Sequence, residues 1–306
     1  MSLWFWLACT PPHEAPQPED THSSTESASD SATDTRAPDS DTDTDSDWVR
    51  QVDVYLEDFL VLETNQPAKV TDCTVQDCTD DDEDGLTDAW EQLALEAFHP
   101  LRILDEDEPA LTDDTAVLAD VGRVFLAADG QVRVFVMLGW SRDYGRCGVS
   151  AHNGDSERVA LDVRLEGSRA VVEQVYTAAH EGTAIDHGTL VNDLSTLKVT
   201  TEPRWAVFPS EGKHATYPSI AICEGVSFVP CVDEDCAPDG VSDPTDYEVL
   251  PPVFNAGEPA HPLLTELDSV GYPGDHAWSE QRFCGGLSRE DGCSSPVAEK
   301  LLTDPF

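Results

Sequence analysis

The chain has 306 residues, of which 61 are Asp or Glu and 17 are Lys or Arg, so its formal net charge is -44. Nucleic-acid phosphates require clustered Lys and Arg, so this charge balance argues strongly against a nucleic-acid partner. It also argues against unaided adhesion to an anionic membrane surface. The hydrophobic content of 40% suffices for one large or two small domains.

Residues 1–9 combine a short apolar stretch, Leu3 to Ala8, with a cysteine at Cys9. This resembles the end of a bacterial lipoprotein signal peptide, although Trp6 stands where a small aliphatic residue is usual. Cys9 is therefore the predicted lipidation site. The protein is expected at the bacterial cell envelope, as an outer-membrane lipoprotein, or secreted. The alternative is a signal-less N-terminus with a chance cysteine, and no apolar run reaches the ~20 residues of a transmembrane helix.

Residues 10–47 consist mostly of Pro, Ser, Thr, Asp and Glu and end in the run DTDTDSD. Such a segment cannot bury enough apolar surface to offset the entropy of an ordered chain. It is predicted to be a disordered acidic tether. The remaining residues, 48–306, are assigned to a single folded domain.

Residues 80–91 (DDDEDGLTDAWE) place carboxylates at loop positions 1, 3, 5, 9 and 12 and glycine at position 6. This is the spacing of an EF-hand calcium loop. Acidic side chains packed this closely repel one another unless a hard cation lies among them. The alternative is a solvated acidic loop. The predicted calcium ligands are Asp80, Asp82, Asp84, the carbonyl of Leu86, Asp88 and Glu91.

The sequence around this loop predicts a helix on its C-terminal side only. A helix is expected from Asp88 to about Phe98, whereas the preceding residues show no helical pattern and predict an edge strand or two between Trp48 and Val70. The one-sided arrangement resembles the Asp-rich repeats of thrombospondin type 3 and dockerin modules more than a paired EF-hand.

From Val121 onward, short runs of alternating or apolar residues separated by turn residues predict β-strands. The fold class expected is mostly β, an antiparallel β-sandwich with a few short helices. The predicted strands are Val132–Trp140, Glu157–Leu165, Ala170–Tyr176 and Arg204–Phe208, with turns at Asp129-Gly130, Glu166-Gly167 and Glu211-Gly212 and helices at His261–Val270 and Pro296–Leu302.

Eight cysteines besides Cys9 form an even set, which indicates disulfides and an oxidising compartment. Spacing does not determine their connectivity, but local pairs are favoured. Zinc is the less favoured alternative, because the two short pairs have four intervening residues and no adjacent histidine. Residues 231–236 (CVDEDC) are expected to form a disulfide-closed surface loop. The favoured pairs are Cys73–Cys78, Cys231–Cys236 and Cys284–Cys293, which leaves Cys147 for Cys223.

A second acidic group lies at the start of the strand predicted after residue 156. Glu157 is in phase with the apolar residues of that strand, so its carboxylate is expected to point toward the core. Such a carboxylate is costly unless a cation or several donors meet it. A metal held by Glu157, Asp155 and the nearby His152 is one interpretation. An ion pair with Arg142 or Arg146 is the other.

Three stretches resemble the vacuolar protein sorting 62 family: WSRDYG from Trp140, AHNGDSERVALDV from Ala151, and WAVFPSEGKHATYPS from Trp205. The heptad at 151–157 is more distantly similar to the motif of necrosis-inducing proteins. These are secreted β-sandwich cytolysins that bind a divalent cation at an acidic mouth and engage membrane sphingolipids.

The resemblance implies a β-sandwich and a second divalent cation (Ca²⁺ or Mg²⁺). An aromatic-lined groove beside Asp155 would favour a glycan or a lipid headgroup as ligand. A surface histidine in a polar turn is the alternative for His214. Gly154 and Ser156 depart from the motif, which argues against cytolytic activity. The site residues implied are Asp143, His152, Asp155, Glu157 and His214.

Three functions follow from these patterns. The favoured one is a lipid-anchored, calcium-binding module that is non-enzymatic and binds a ligand or a membrane. The second is a metal-dependent hydrolase that uses His152, Asp155, Glu157 and His214. The third is a purely structural envelope protein stabilised by calcium.

Overall fold

The computed structural model describes residues 60–74, 78–112, 119–145, 152–181, 186–200, 204–226, 234–236, 247–257 and 297–306. The chain separates into two units, Met1–Thr44 and Asp45–Phe306, and all described residues belong to the second. The predicted signal segment with Cys9, the tether and the helix predicted at His261–Val270 lie outside them. In the part that is described, no helix is long and apolar enough to cross a membrane.

The described residues form twelve strands and three α-helices, which confirms the mostly β fold with a few short helices. Single 3-10 turns lie at Val70–Asp72, Pro109–Leu111 and Leu194–Thr196. The strands are β1 (Val61–Glu63), β2 (Leu101–Ile103), β3 (Asp120–Leu126), β4 (Val132–Asp143), β5 (His152–Glu166), β6 (Arg169–Thr177), β7 (Thr189–Val191), β8 (Lys198–Val199), β9 (Trp205–Pro209), β10 (Thr216–Tyr217), β11 (Glu248–Val249) and β12 (Val253–Asn255). The helices are α1 (Asp88–Phe98), α2 (Ile220–Glu224) and α3 (Val297–Leu302).

The strands form two sheets. The large sheet has the order β1-β6-β5-β4-β3-β12, with β7 also paired to β6, and the small sheet has the order β10-β9-β2-β11, with β8 also paired to β9. Most neighbouring strands are antiparallel, as expected for the predicted sandwich. Two pairs are parallel, β12 with β3 and β2 with β9, so both sheets are mixed.

The large sheet is covered on both faces along β4. Val134 and Val136 face the main core, whereas Phe135 and Met137 face a second apolar cluster that includes Leu301 of α3. Because both faces are buried, β4 is a nearly continuous apolar run in the sequence. The predicted strand ends at Trp140, but the observed strand continues to Asp143, so the large sheet extends to the second acidic group.

Helix α1 packs in the main core and connects the two sheets. Its first turn is capped by Thr87, whose side-chain oxygen accepts a hydrogen bond from the backbone N–H of Trp90. Its C-terminal end is tied to β9, because the indole of Trp205 donates to the carbonyl of Phe98 over 2.8 Å. A Cβ atom at Gly122 of β3 would lie 2.1 Å from a Leu95 methyl carbon, so this close approach requires glycine.

The disulfides confirm one predicted pair and correct two. Cys73 is bonded to Cys78, as predicted. Cys223 is bonded to Cys236, so the pairs Cys231–Cys236 and Cys147–Cys223 are wrong. The reason is tertiary: residues 234–236 run beside the end of α2, where the backbone N–H of Glu234 donates to the carbonyl of Val226. The remaining cysteines, Cys147, Cys231, Cys284 and Cys293, lie outside the described residues.

Candidate functional site

The acidic loop before α1 is organised by its first aspartate. The carboxylate of Asp80 accepts hydrogen bonds from the backbone N–H groups of Asp84 and Gly85, each with a donor–acceptor distance of 3.1 Å. These bonds turn the loop back on itself. Gly85, at loop position 6, adopts a φ of 97°, which side chains other than glycine rarely tolerate. The bend predicted from the glycine is therefore present.

Three contacts join the loop to its surroundings. The second carboxylate oxygen of Asp84 accepts from the backbone N–H of Leu126 at the end of β3, over 2.9 Å. The preceding segment pairs with the loop on its other side, since the N–H of Val70 donates to the carbonyl of Gly85. The side chain of Leu86 is fully buried in the main core. The loop is thus part of the folded body.

The predicted ligand side chains converge in two overlapping groups. One contains Asp80, Asp82 and Asp88 and the other Asp82, Asp84 and Glu91, and within each group the ligand oxygens lie within 4.8 Å of one another. Oxygens on opposite sides of a calcium ion are about 4.6–5.2 Å apart, because each Ca–O distance is about 2.3–2.6 Å. The spacing of the oxygens therefore fits one ion of this size.

Glu91, the twelfth loop residue, is 1% exposed. Its Oε2 atom accepts a hydrogen bond from the side-chain amide of Asn255, whereas no described residue hydrogen-bonds to Oε1. Burial raises the pKa of Glu91 to about 9, and the charges of Asp82 and Asp84 add to this shift. A buried carboxylate beside two others is unfavourable unless a cation offsets the charge.

The chemistry of these donors matches a hard divalent cation. Every predicted side-chain ligand is a carboxylate, without histidine or cysteine among them. Carboxylate and carbonyl oxygens favour Ca²⁺ or Mg²⁺ over zinc or copper. The large number of protein oxygens favours calcium, because magnesium usually keeps several of its water ligands.

The second predicted group centres on His214, which the structure places in the protein interior. Its Nδ1 atom lies 3.0 Å from Asp155 Oδ2 and its Nε2 atom lies 3.4 Å from Glu108 Oε1. The ring stacks on Trp140 with the ring centroids 4.0 Å apart. His214 is fully buried, so the alternative of a surface histidine in a polar turn is wrong.

Both ring nitrogens of His214 face carboxylates, which favours the charged imidazolium. Burial alone would lower the pKa of His214, but the hydrogen bonds and charges of Asp155 and Glu108 raise it to about 9. An imidazolium donates through both nitrogens and has no lone pair for a metal. In this geometry His214 joins the β9–β10 turn to β5 and to the segment after β2 by ion pairs.

The other predicted residues of this group lie around His214 but do not all meet at one point. Asp143 accepts hydrogen bonds from the Lys213 ammonium and the Gly145 N–H, each with a donor–acceptor distance of 2.6 Å. Glu157 is 6% exposed, and burial, with the charge of Asp155, raises its pKa to about 8. His152 pairs with Asp143 in the β4–β5 ladder, and its side chain lies outside the described atoms. A cation at this group stays a prediction.

Four residues that sequence reasoning missed lie in the same region: Glu108, His180, Tyr217 and Glu234. Nε2 of His180 lies 2.8 Å from a carboxylate oxygen of Glu234. Glu234 is 8% exposed, so the expectation of a surface loop for residues 231–236 is wrong at this residue. Burial raises the pKa of the Tyr217 hydroxyl, and the charges of Glu234 and Glu157 contribute.

His180 and His214 share an unusual backbone conformation, since each has a φ of 56°. For residues other than glycine this left-handed region costs roughly 1–2 kcal/mol. Strained residues of this kind persist where the surrounding contacts over-determine them, often at functional sites. Here the carboxylates that face both rings supply such contacts. No local sequence pattern marks either residue for this conformation.

Comparisons with known protein families, curated proteins and solved structures find no match to this chain. The family resemblance therefore rests on sequence motifs alone, mainly those around Trp140, Ala151 and Trp205.

The buried carboxyl group of Asp105 should make the folding stability depend on pH. Asp105 is 4% exposed and follows β2. Burial raises its pKa to about 7, against the lowering effect of a hydrogen bond from the Asp107 N–H, and the charges of Asp235, Glu106 and Glu211 raise it further. A pKa raised in the folded state provides stability that is fully present at about pH 4 and is lost as the pH rises toward 7.

We therefore expect Asp105→Asn to weaken this pH dependence. The free energy of unfolding of the variant minus that of the wild type should increase from pH 4.5 to pH 8. The increase should be on the order of 2 kcal/mol after allowance for solvent screening. Urea unfolding at several pH values in this range measures the difference. Asp107→Asn, an exposed position two residues away, is the matched control. A constant difference between Asp105→Asn and wild type over this range would contradict the assignment.

Proposed function

We propose that this chain is a calcium-binding β-sandwich protein of the bacterial cell envelope, acting as a non-enzymatic module that binds a ligand or a membrane. In this proposal a lipid on Cys9 anchors the chain, and residues 10–47 carry the folded domain away from the membrane surface. A lipid headgroup or a glycan is the expected ligand class. Calcium bound at residues 80–91 stabilises the folded domain.

The observation that carries the calcium proposal is the environment of Glu91. This carboxylate is almost fully buried, and its Oε1 atom has no hydrogen-bond donor among the described residues. Its ligand oxygen lies within 4.8 Å of those of Asp82 and Asp84. Without a cation, burial and repulsion both act against this arrangement. A calcium ion would offset both costs at once.

The location of the loop explains why calcium would stabilise the whole domain. Asp84 is hydrogen-bonded to the end of β3, and Glu91 to Asn255 of β12. Glu91 also lies in the first turn of α1, which packs in the main core. An ion that draws Asp84 and Glu91 together therefore holds the loop, a helix and two strands of the large sheet in place.

The arrangement of His214 supports a non-enzymatic module over the metal-dependent hydrolase. The hydrolase hypothesis includes His214 among its metal-site residues, and a histidine binds a metal only through a neutral ring nitrogen. Carboxylates lie beside both nitrogens of His214, and its raised pKa keeps the ring charged at neutral pH. The sequence also has no Gly-x-Ser-x-Gly or His-Glu-x-x-His motif.

Isothermal titration of the purified full chain with calcium tests the proposal. We expect uptake of calcium by the wild type. Glu91→Gln should lose more affinity than the about 10–100-fold that removal of an outer-shell partner typically costs, because it removes a ligand itself. Asp81→Asn removes one charge from an exposed, non-ligand position of the same loop and should bind nearly as the wild type does. The absence of calcium uptake at millimolar concentration would refute the proposal.

A further inference from the structure

Glu91 has a partner from a distant part of the chain. The side-chain Nδ2 of Asn255 donates to Oε2 of Glu91, and these residues are 164 positions apart in the sequence. Asn255 is the last residue of β12, a three-residue strand at the edge of the large sheet. The predicted calcium loop is therefore in direct contact with the last strand of the described residues.

Two further hydrogen bonds hold Asn255, one to its side-chain amide and one from its backbone. Its Oδ1 atom accepts from the backbone N–H of Gly257 over 3.1 Å, which leaves Nδ2 to face Glu91. Its own backbone N–H donates to the side chain of Gln92 over 3.3 Å. Asn255 thus presents its Nδ2 donor to Glu91 at a defined position.

The bond to Asn255 also orients the Glu91 carboxylate. With Oε2 held by the amide, Oε1 remains without a donor among the described residues, and the carboxylate lies beside Asp82 and Asp84. A carboxylate oxygen has two lone pairs, so Oε2 can accept from Asn255 and bind a cation at the same time. The amide therefore supports bidentate binding by Glu91 instead of competing with it.

We propose that Asn255 is an outer-shell positioning residue for calcium, so that calcium binding and the docking of β12 on the sheet reinforce each other. This inference rests on the proposed calcium function. Outer-shell partners that orient a ligand typically change metal affinity about 10–100-fold. Coupling between two binding events is reciprocal, so an ion that binds better when β12 is docked must also hold β12 more tightly.

Calcium titration of Asn255→Ala in the full chain measures the first half of this coupling. The calcium affinity should fall about 10–100-fold. The matched control is Gln92→Ala, because the Gln92 amide donates to the carbonyl of Val253 over 3.2 Å and also helps to hold β12, without touching the Glu91 carboxylate. Gln92→Ala loosens β12 but keeps the bond between Asn255 and Glu91, so its calcium affinity should also fall, but by clearly less than that of Asn255→Ala.

Hydrogen exchange at the amides of residues 253–257 measures the second half and does not depend on any variant folding. These amides should exchange more slowly in the calcium-saturated wild type than in EDTA. Unchanged exchange, or wild-type affinity in Asn255→Ala, overturns the inference while the calcium function stands. Failure of the wild-type chain to take up calcium overturns both, so the two failures are distinguishable.

Discussion

Calcium at about 100 times its dissociation constant is expected to stabilise the metal-free protein by about 2.7 kcal/mol, because an ion that binds only the folded state shifts the unfolding equilibrium by mass action. For a domain of this size, the Tm should rise by about 5–10 °C. The physical reason is the placement of the ligands. Hydrogen bonds that exist only in the folded state hold the three carboxylates in place: Asp80 is bonded to the loop backbone, Asp84 to the end of β3 and Glu91 to β12.

Differential scanning calorimetry in EDTA and in calcium measures this shift. Glu91→Gln should abolish the response to calcium, and Asp81→Asn should retain it. Magnesium at the same concentration should give a smaller shift, since it prefers six short octahedral bonds and gives up its waters reluctantly. A Tm that is equal in EDTA and calcium would show that the loop either binds no ion or binds it equally in the unfolded chain.

His214→Ala is expected to cost about 3–5 kcal/mol of folding stability, which is typical when one partner of a buried ion pair is removed. The substitution would leave the carboxylates of Asp155 and Glu108 buried without the charge between them. It would also remove the ring that stacks on Trp140. Urea unfolding in EDTA measures this loss independently of calcium.

A half-buried histidine outside this group, His187, provides the matched control. His187→Ala should cost less than about 1 kcal/mol, as is usual for substitutions away from buried networks. His214→Ala should also keep the calcium-dependent rise in Tm, because the predicted loop ligands do not include His214. A loss below about 1 kcal/mol for His214→Ala would contradict the ion-pair assignment.

The loop and its helix could be predicted because their defining contacts are local. Asp80 bonds to the backbone of residues four and five positions further on, and α1 spans Asp88–Phe98, the bounds expected from the sequence. The hairpin turns are local in the same sense. Gly130 and Gly167 have φ values of 87° and 66°, as turns between paired strands often require.

The disulfide and burial errors have a common cause. The sequence places Cys231 five residues from Cys236, so a local pair is the simplest expectation. Cys236 is instead bonded to Cys223, because the chain returns to the end of α2. The same return carries Glu234 to His180 in the interior. The path of the chain between these residues is not encoded in their spacing.

Residue spacing alone was enough for the acidic loop, the helix that follows it and the main strands, because their hydrogen bonds and side-chain periods operate within about a dozen residues. The folded structure alone places Asn255 on Glu91, and His214 between Asp155 and Glu108. These partners are 164, 59 and 106 residues apart, and whether two distant polar groups meet depends on how the sheets pack.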